Sequence, residues 1–192
     1  MADLFLMSGI PGAGKSTFLK NRVKKNTSVI ISRDVIRFSI VKPEEDYFSH
    51  ESKVLTIFWK QINEALAAGK NVFVDQTSLT PKARKQLLQH VKGYDHANII
   101  WIDEDIQTCL ERNEKRRGTR AYVPRSAIYR MNKQFIEPSL DEGFYRIYRY
   151  NSKEDKLTYK GEMSYNVAVD AHNCYSVSID EIIQDFNEYI EK

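Results

Sequence analysis

The sequence predicts an α/β fold, a five-stranded parallel sheet with helices on both faces. Three observations predict it. Short apolar runs at 4–7, 29–31, 72–74, 99–102 and 167–169 are continuous rather than alternating, as strands covered on both sides should be. Helical patterns separate them, and strand, helix, strand alternation favours parallel pairing through crossover helices. The first run also leads directly into a glycine-rich loop that opens a helix.

That loop reads GIPGAGKST, and Gly9, Gly14, Lys15 and Ser16 fill every required place of the GxxxxGK[ST] pattern. Glycines let the backbone curl so that its N–H groups face phosphate oxygens, and the following helix N-terminus adds partial positive charge. This is the phosphate loop of P-loop NTPases. It calls for ATP and Mg²⁺, with Gly9, Pro11, Gly12, Ala13, Gly14 and Thr17 forming the cradle. Lys15 reaches the β- and γ-phosphates, and Ser16 contributes its hydroxyl to the metal.

The second run ends in SRDVIR, which places Asp34 at the carboxyl edge of the sheet, where ligands of open α/β folds bind. There Asp34 can take the proton from an attacking hydroxyl, and Arg37, one turn on, can hold an acceptor phosphate. The competing reading is an aspartate at a helix N-cap beside a surface arginine. Next, Val54, Phe58, Ile62, Ala65 and Leu66 recur at helical spacing, with Gly69 where a C-terminal glycine belongs. The third run ends in VDQTSL, giving Asp75 the place of a Walker-B carboxylate that touches Mg²⁺ or orients a nearby arginine. Thr80 and Pro81 read as an N-cap and first helical position. Asp103, after the fourth run, is expected to cap the next helix.

Residues 112–133 hold eight basic side chains and one acid, Glu114, in a chain whose formal net charge is only +3. Such segregation suits a local site for polyanions. The segment about 112–135 therefore reads as an arginine-rich lid, with Arg112, Arg117 and Arg120 as candidates to stabilise transferring phosphate. Gly118 gives it a flexible point, and Pro124 opens a helix carrying Ile128, Met131 and Phe135. Beyond it, 145–162 looks like a polar, exposed antiparallel hairpin, and Ser178 with Glu181 opens an amphipathic closing helix.

The 192 residues fit a single domain. Composition is that of a soluble globular chain, with 42% hydrophobic and 29% charged residues. No apolar stretch approaches the roughly 20 residues of a membrane span, and the N-terminus lacks a secretory pattern, so no membrane partner and a cytoplasmic location are expected. Cys109 and Cys174 are expected to be reduced thiols. Oligomeric state is left open.

Taken together, GIPGAGKSTFLK, SRDVIR, VDQTSLTPKAR, RNEKRRGTRAYVP and NKQFIEPSLDEGF resemble, in order, the kinase domain of the phage and animal 5′-polynucleotide kinases over about residues 2–145. The resemblance implies that Asp34 is the general base toward a nucleic-acid 5′-hydroxyl, that Arg37 holds the acceptor's phosphate, and that Arg117 is the lid arginine on the ATP phosphates. Asp75 and Thr77 join Asp34 and Arg37 on the acceptor side. Ser32 stands where the family usually has Asn, Ser78 likewise, and Tyr122 looks like an extra residue. No DxDGT phosphatase signature is present.

Two other readings compete. A kinase of a small hydroxylated metabolite or nucleoside would share the loop, the base and the lid. It would need only one or two arginines, whereas the basic segment with Lys82, Arg84 and Lys85 suits a polymer backbone. A non-catalytic switch module is disfavoured, because Asn132 and Lys133 are followed by Gln134 and lack the Asp used in guanine recognition.

Overall fold

The computed structural model describes residues 2–23, 26–154, 156–161 and 175–176. Among these residues, seven strands form one sheet in the order β2-β3-β1-β4-β5-β6-β7. The strands are β1 (Leu4–Ser8), β2 (Ser28–Ser32), β3 (Asn71–Asp75), β4 (Ala97–Asp103), β5 (Arg146–Asn151), β6 (Lys156–Gly161) and β7 (Tyr175–Ser176). The first five are all parallel, and β6 and β7 extend the sheet antiparallel. The helices are α1 (Lys15–Arg22), α2 (Arg33–Ile40), α3 (Glu51–Ala67), α4 (Pro81–His90), α5 (Ile106–Glu114) and α6 (Arg125–Gln134).

Alternate residues of the strands feed two cores. Phe5, Met7, Phe73 and Ile100 face α1, α5 and α6 through Phe18, Cys109, Leu110 and Ile128. Leu4, Leu6, Val74 and Ile99 face α2, α3 and α4 through Ile36, Phe58, Ile62 and Leu87. Both faces being covered explains why the strands carry unbroken apolar runs. Helix α3 ends as expected: Gly69 adopts φ 74°, its N–H donates to Leu66 O at 2.9 Å, and Lys70 N–H donates to Ala65 O at 3.1 Å. Thr80 caps α4 by accepting from Ala83 N–H at 3.3 Å.

Two expectations need correction. Residues 145–162 form the expected antiparallel hairpin, β5 with β6, but it is no exposed ribbon: its first strand is β5, the fifth parallel strand, with Ile147 and Tyr148 buried in opposite cores. Tyrosine and arginine at alternating positions disguised it, because Arg149 lies over the Trp101 ring at 4.8 Å and pairs with Asp103 at 2.9 Å instead of pointing freely into solvent. The run at 167–169 and the helix expected from Ser178 lie outside the described residues. The helix cap is also reassigned. Asp105, not Asp103, accepts from Thr108 N–H at 2.9 Å and opens α5.

Arg84, expected to help follow a polymer backbone, cannot do so. Its side chain is 0% exposed and donates through Nε and Nη2 to Glu142, both at 2.7 Å. It also reaches the carbonyls of Ser78 and Ile136 at 3.0 Å and Glu137 at 3.3 Å. This guanidinium ties the turn after β3 to the chain that leaves α6. Among the described residues no helix is long and apolar enough to cross a membrane.

Arg84→Ala leaves Glu142 buried without its partner and is expected to destabilise by ~3–5 kcal/mol, lowering Tm on the order of 10 °C in a thermal melt. An unchanged Tm would show that water replaces the guanidinium and that the tie is dispensable.

Candidate active site

The chain leaves β1 first toward β3 and β2 and later toward β4 and β5, so the crevice of the sheet opens at the carboxyl end of β1. The phosphate loop occupies that end. Gly9, Gly12 and Gly14 hold φ of 143°, 88° and 111°. Gly12 shows why no side chain is tolerated: a Cβ there would sit 2.2 Å from the backbone oxygen of Cys109. Helix α5 thus lies directly against the loop. Arg112 fastens the contact, donating to Ala13 O at 3.1 Å while its other nitrogen pairs with Glu104 at 3.0 Å. No side chain caps α1 at Gly14, so the first amides of that helix remain available to an anion.

Lys15 is buried, and its ammonium donates to Gly9 O at 2.8 Å and Ile10 O at 3.0 Å. Burial pushes its pKa down to about 8, opposed by the charges of Asp75, Cys109 and Asp34 and reinforced by Arg116. Ser16 and Thr17 are exposed, and Pro11 is half-buried. Ser16 Oγ donates to Asp75 Oδ2 at 2.7 Å, which brings the loop hydroxyl and the β3 carboxylate to one point. A hydroxyl and a carboxylate fit Mg²⁺, which keeps several waters and takes further oxygens from phosphate. Among the described residues, no cluster of three or more His, Cys, Asp or Glu could hold a metal by itself. Thr77 joins the two loops by accepting from Gly9 N–H at 3.1 Å.

The two departures from the expected motif have local causes. Ser32 is the N-cap of α2 and accepts from Val35 N–H at 3.5 Å, a role that serine and asparagine fill about equally well. Ser78 has φ 41°, a conformation Asn adopts readily and other side chains rarely. It is held there because its carbonyl accepts from Ser8 Oγ and from Arg84, both at 3.0 Å.

Asp34 lies in the first turn of α2 with its carboxylate 62% exposed, whereas Arg37 is only 3% exposed. Arg37 donates to Asp34 Oδ1 at 2.8 Å, to the Tyr47 hydroxyl at 2.8 Å and to Glu51 at 2.5 Å. Tyr47 in turn donates to the same Asp34 Oδ1 at 2.5 Å. Burial and this bond to Asp34 push the Tyr47 hydroxyl up to about 12. Two donors thus occupy Oδ1, while Oδ2 has no protein partner among the described residues. Arg37, expected to hold an acceptor phosphate, instead has both terminal nitrogens engaged within the protein. Tyr47 and Glu51 were not legible from the sequence. They lie in a stretch without periodicity or motif, and only the contact reveals them.

The basic segment crosses from one side of the crevice to the other. Asn113 closes its base through bonds with Val123, donating to its oxygen at 2.8 Å and accepting from its N–H at 3.0 Å. Arg116 is half-buried, and its charge acts on Lys15, a placement the sequence does not single out. Arg117 is exposed, pairs with Glu114 and lies 5.3 Å over the ring of Tyr122, so the extra residue supplies its platform. Arg120 reaches α2, donating to Val41 O at 2.6 Å and Phe38 O at 3.2 Å.

The AAA domain family matches residues 4–138. By sequence, the chain is 29% identical over 143 residues to an L-seryl-tRNA(Sec) kinase of Methanococcus maripaludis, covering 70% of this chain and 53% of that one. It is 27% identical over 151 residues to a putative bifunctional polynucleotide phosphatase/kinase of Acanthamoeba polyphaga mimivirus, covering 76% and 32%. The chain therefore spans about half the length of one curated relative and a third of the other. By structure, it superposes on a chain of the Pnkp1/Rnl/Hen1 RNA repair complex with TM-score 0.57 and 22% identity, over 69% of this chain and 43% of that one. It also superposes on a gluconokinase of Sinorhizobium meliloti with TM-score 0.51 and 18% identity, over 78% and 82%. The fold is that of P-loop kinases.

Gly12→Ala forces a side chain onto the Cys109 carbonyl in a left-handed backbone and is expected to destabilise by at least ~1–2 kcal/mol. Gly118→Ala, with the same backbone sign but open space, is the control: the excess loss in Gly12→Ala, read by denaturant unfolding, isolates the contact with α5.

Proposed function

This chain belongs to the AAA domain family matched over residues 4–138, and we propose that it transfers the γ-phosphate of ATP to the 5′-hydroxyl end of a nucleic acid. One observation carries the reading. At the sheet edge that holds Lys15, Ser16 and Asp75, a second carboxylate, Asp34, has Oδ1 fixed by Arg37 and Tyr47 and Oδ2 free to receive a proton. Asp34 is thus held as a base while Asp75 is committed to the loop hydroxyl.

In this mechanism Lys15 turns from the carbonyls of Gly9 and Ile10 to the ATP phosphates, and Ser16 with Asp75 would hold Mg²⁺, which supplies charge neutralisation on the phosphates. Asp34 Oδ2 takes the acceptor's proton as its oxygen bonds the γ-phosphorus and the bond to the bridging oxygen of ADP breaks. Arg112, bonded to the loop, and Arg116, whose charge acts on Lys15, lie on the phosphate side; Arg117 is assigned to the transferring phosphate on leaving Glu114, and Arg37 positions Asp34. The nucleic-acid acceptor is supported by the segregated basic segment and by relatives whose names include a polynucleotide kinase and a tRNA kinase. A small hydroxylated metabolite or nucleoside is the second reading. The burial of Arg84 favours it by removing one cation from the proposed polymer track, and so does the likeness to a gluconokinase.

Labelled γ-phosphate, offered from ATP with Mg²⁺, is expected to appear on short 5′-hydroxyl oligonucleotides, and Asp34→Ala is expected to lower that transfer by roughly 10²- to 10⁴-fold with ATP affinity retained. Label only on a small molecule would overturn the nucleic-acid acceptor; full transfer by Asp34→Ala would remove it as the base.

Bound phosphates should raise the depressed Lys15 pKa, so nucleotide binding takes up a proton wherever the free lysine is neutral. Affinity is therefore expected to fall as pH rises above about 8, with proton uptake visible as a buffer-dependent enthalpy. In Lys15→Met both signals should vanish. A flat wild-type profile would mean that the ammonium stays on the loop carbonyls after nucleotide binds.

A further inference from the structure

Five large hydrophobic residues are exposed among the described residues, and three of them lead to Asp34: Val35 follows it in α2, Tyr47 bonds its carboxylate, and Phe48 packs on Tyr47. We infer that Phe48, with Tyr47 edge-on behind it, is the stacking platform for the 5′-terminal nucleobase of the acceptor. This rests on the proposed nucleic-acid kinase reading and adds a specificity element to the same site.

Phe48 is 63% exposed, yet its position is fixed. Its N–H donates to Asp46 Oδ1 at 2.8 Å, Ser49 N–H donates to Asp46 O at 3.0 Å, and Glu51 N–H donates to the Phe48 carbonyl at 3.1 Å. A turn so fully bonded has no need to project a phenyl ring into water, where the ring contributes nothing to the core. Behind Phe48, the Tyr47 ring meets it at 4.8 Å and 84°, and the Arg37 guanidinium lies 5.6 Å from its centre. Tyr47 then reaches Asp34 through its hydroxyl. The platform is therefore built onto the same side chains that aim the base, one tyrosine length from the carboxylate.

A 5′-hydroxyl held at Asp34 Oδ2 carries its own ribose and base with it, and a flat apolar surface at that distance suits a base that has no partner on its outer face. Aromatic stacking tolerates every base, because each presents a π-face, so the platform selects a nucleoside end over a sugar or amino-acid hydroxyl without selecting sequence.

The test pairs protein and acceptor variants. Wild type is compared with Phe48→Ala and Phe48→Trp on two 5′-hydroxyl oligonucleotides, one normal and one lacking only its 5′-terminal base. In the wild type, removing the base is expected to raise the acceptor KM about tenfold. Phe48→Ala should raise KM for the normal acceptor by a similar factor and show no further loss with the abasic one, while the ATP KM stays put. Phe48→Trp should restore discrimination, which separates stacking from misfolding. An equal abasic penalty in wild type and Phe48→Ala, or no penalty in the wild type, overturns the platform but leaves the nucleic-acid kinase standing. Absence of transfer to both oligonucleotides overturns that reading and the platform with it.

Discussion

The parallel register of β1 with its neighbours is the constraint from which the site follows. Ser8 aligns with Trp101 on β4, and Ser32 of β2 aligns with Asp75 of β3. Parallel strands all end at the same edge, so segments that are far apart in the chain must meet there. The phosphate loop, the turn into α2 and the turn after β3 therefore share one crevice without any need for specific attraction between them. Side-chain contacts then refine the arrangement: Ser16 to Asp75, Gly9 to Thr77, Arg112 to the loop carbonyls.

Three buried cations sit near this edge, and their different surroundings define their roles. Arg84 has a carboxylate and three carbonyls, which together satisfy its fork, so it belongs to the scaffold. Arg37 has Glu51, Asp34 and the Tyr47 hydroxyl, and it acts on the crevice only through Asp34. Lys15 has two backbone carbonyls, and its pKa is pushed down to about 8 by burial. A buried ammonium bonded only to neutral groups gains most from the arrival of phosphate charge, and this is what a phosphate-loop lysine requires.

Much of this was readable in the sequence where a residue's role depends on near neighbours. The loop from Gly9 to Ser16, the caps at Thr80 and Gly69, and the strand-end position of Asp75 all follow from local rules. Roles that depend on distant partners were not readable. Arg84 looks like surface charge until Glu142, 58 residues on, covers it. Arg37 looks like an anion clamp until Glu51 and Tyr47 close over it. β5 looked like a free ribbon because tyrosine and arginine bury their rings and stems while keeping polar ends, which defeats a two-letter reading of hydropathy. Asp105 rather than Asp103 caps α5 for a simpler reason, a strand that runs one residue past the apolar run that marked it.

The basic segment shows how charge counting and geometry combine. Eight basic residues in 112–133 give a field, but their partners divide the work. Arg112 is fixed to the phosphate loop, Arg116 acts by its charge on Lys15, and Arg120 is bonded to the end of the helix that carries Asp34. One segment, closed at its base by Asn113 and Val123, therefore touches both the donor side and the acceptor side of the crevice. Movement of this segment toward bound phosphate would pull on α2 through Arg120. If the segment serves as the proposed lid, bringing its arginines to phosphate would also adjust the helix that carries Asp34. Between the two anchored ends, Arg117 pairs with Glu114 and lies over the ring of Tyr122.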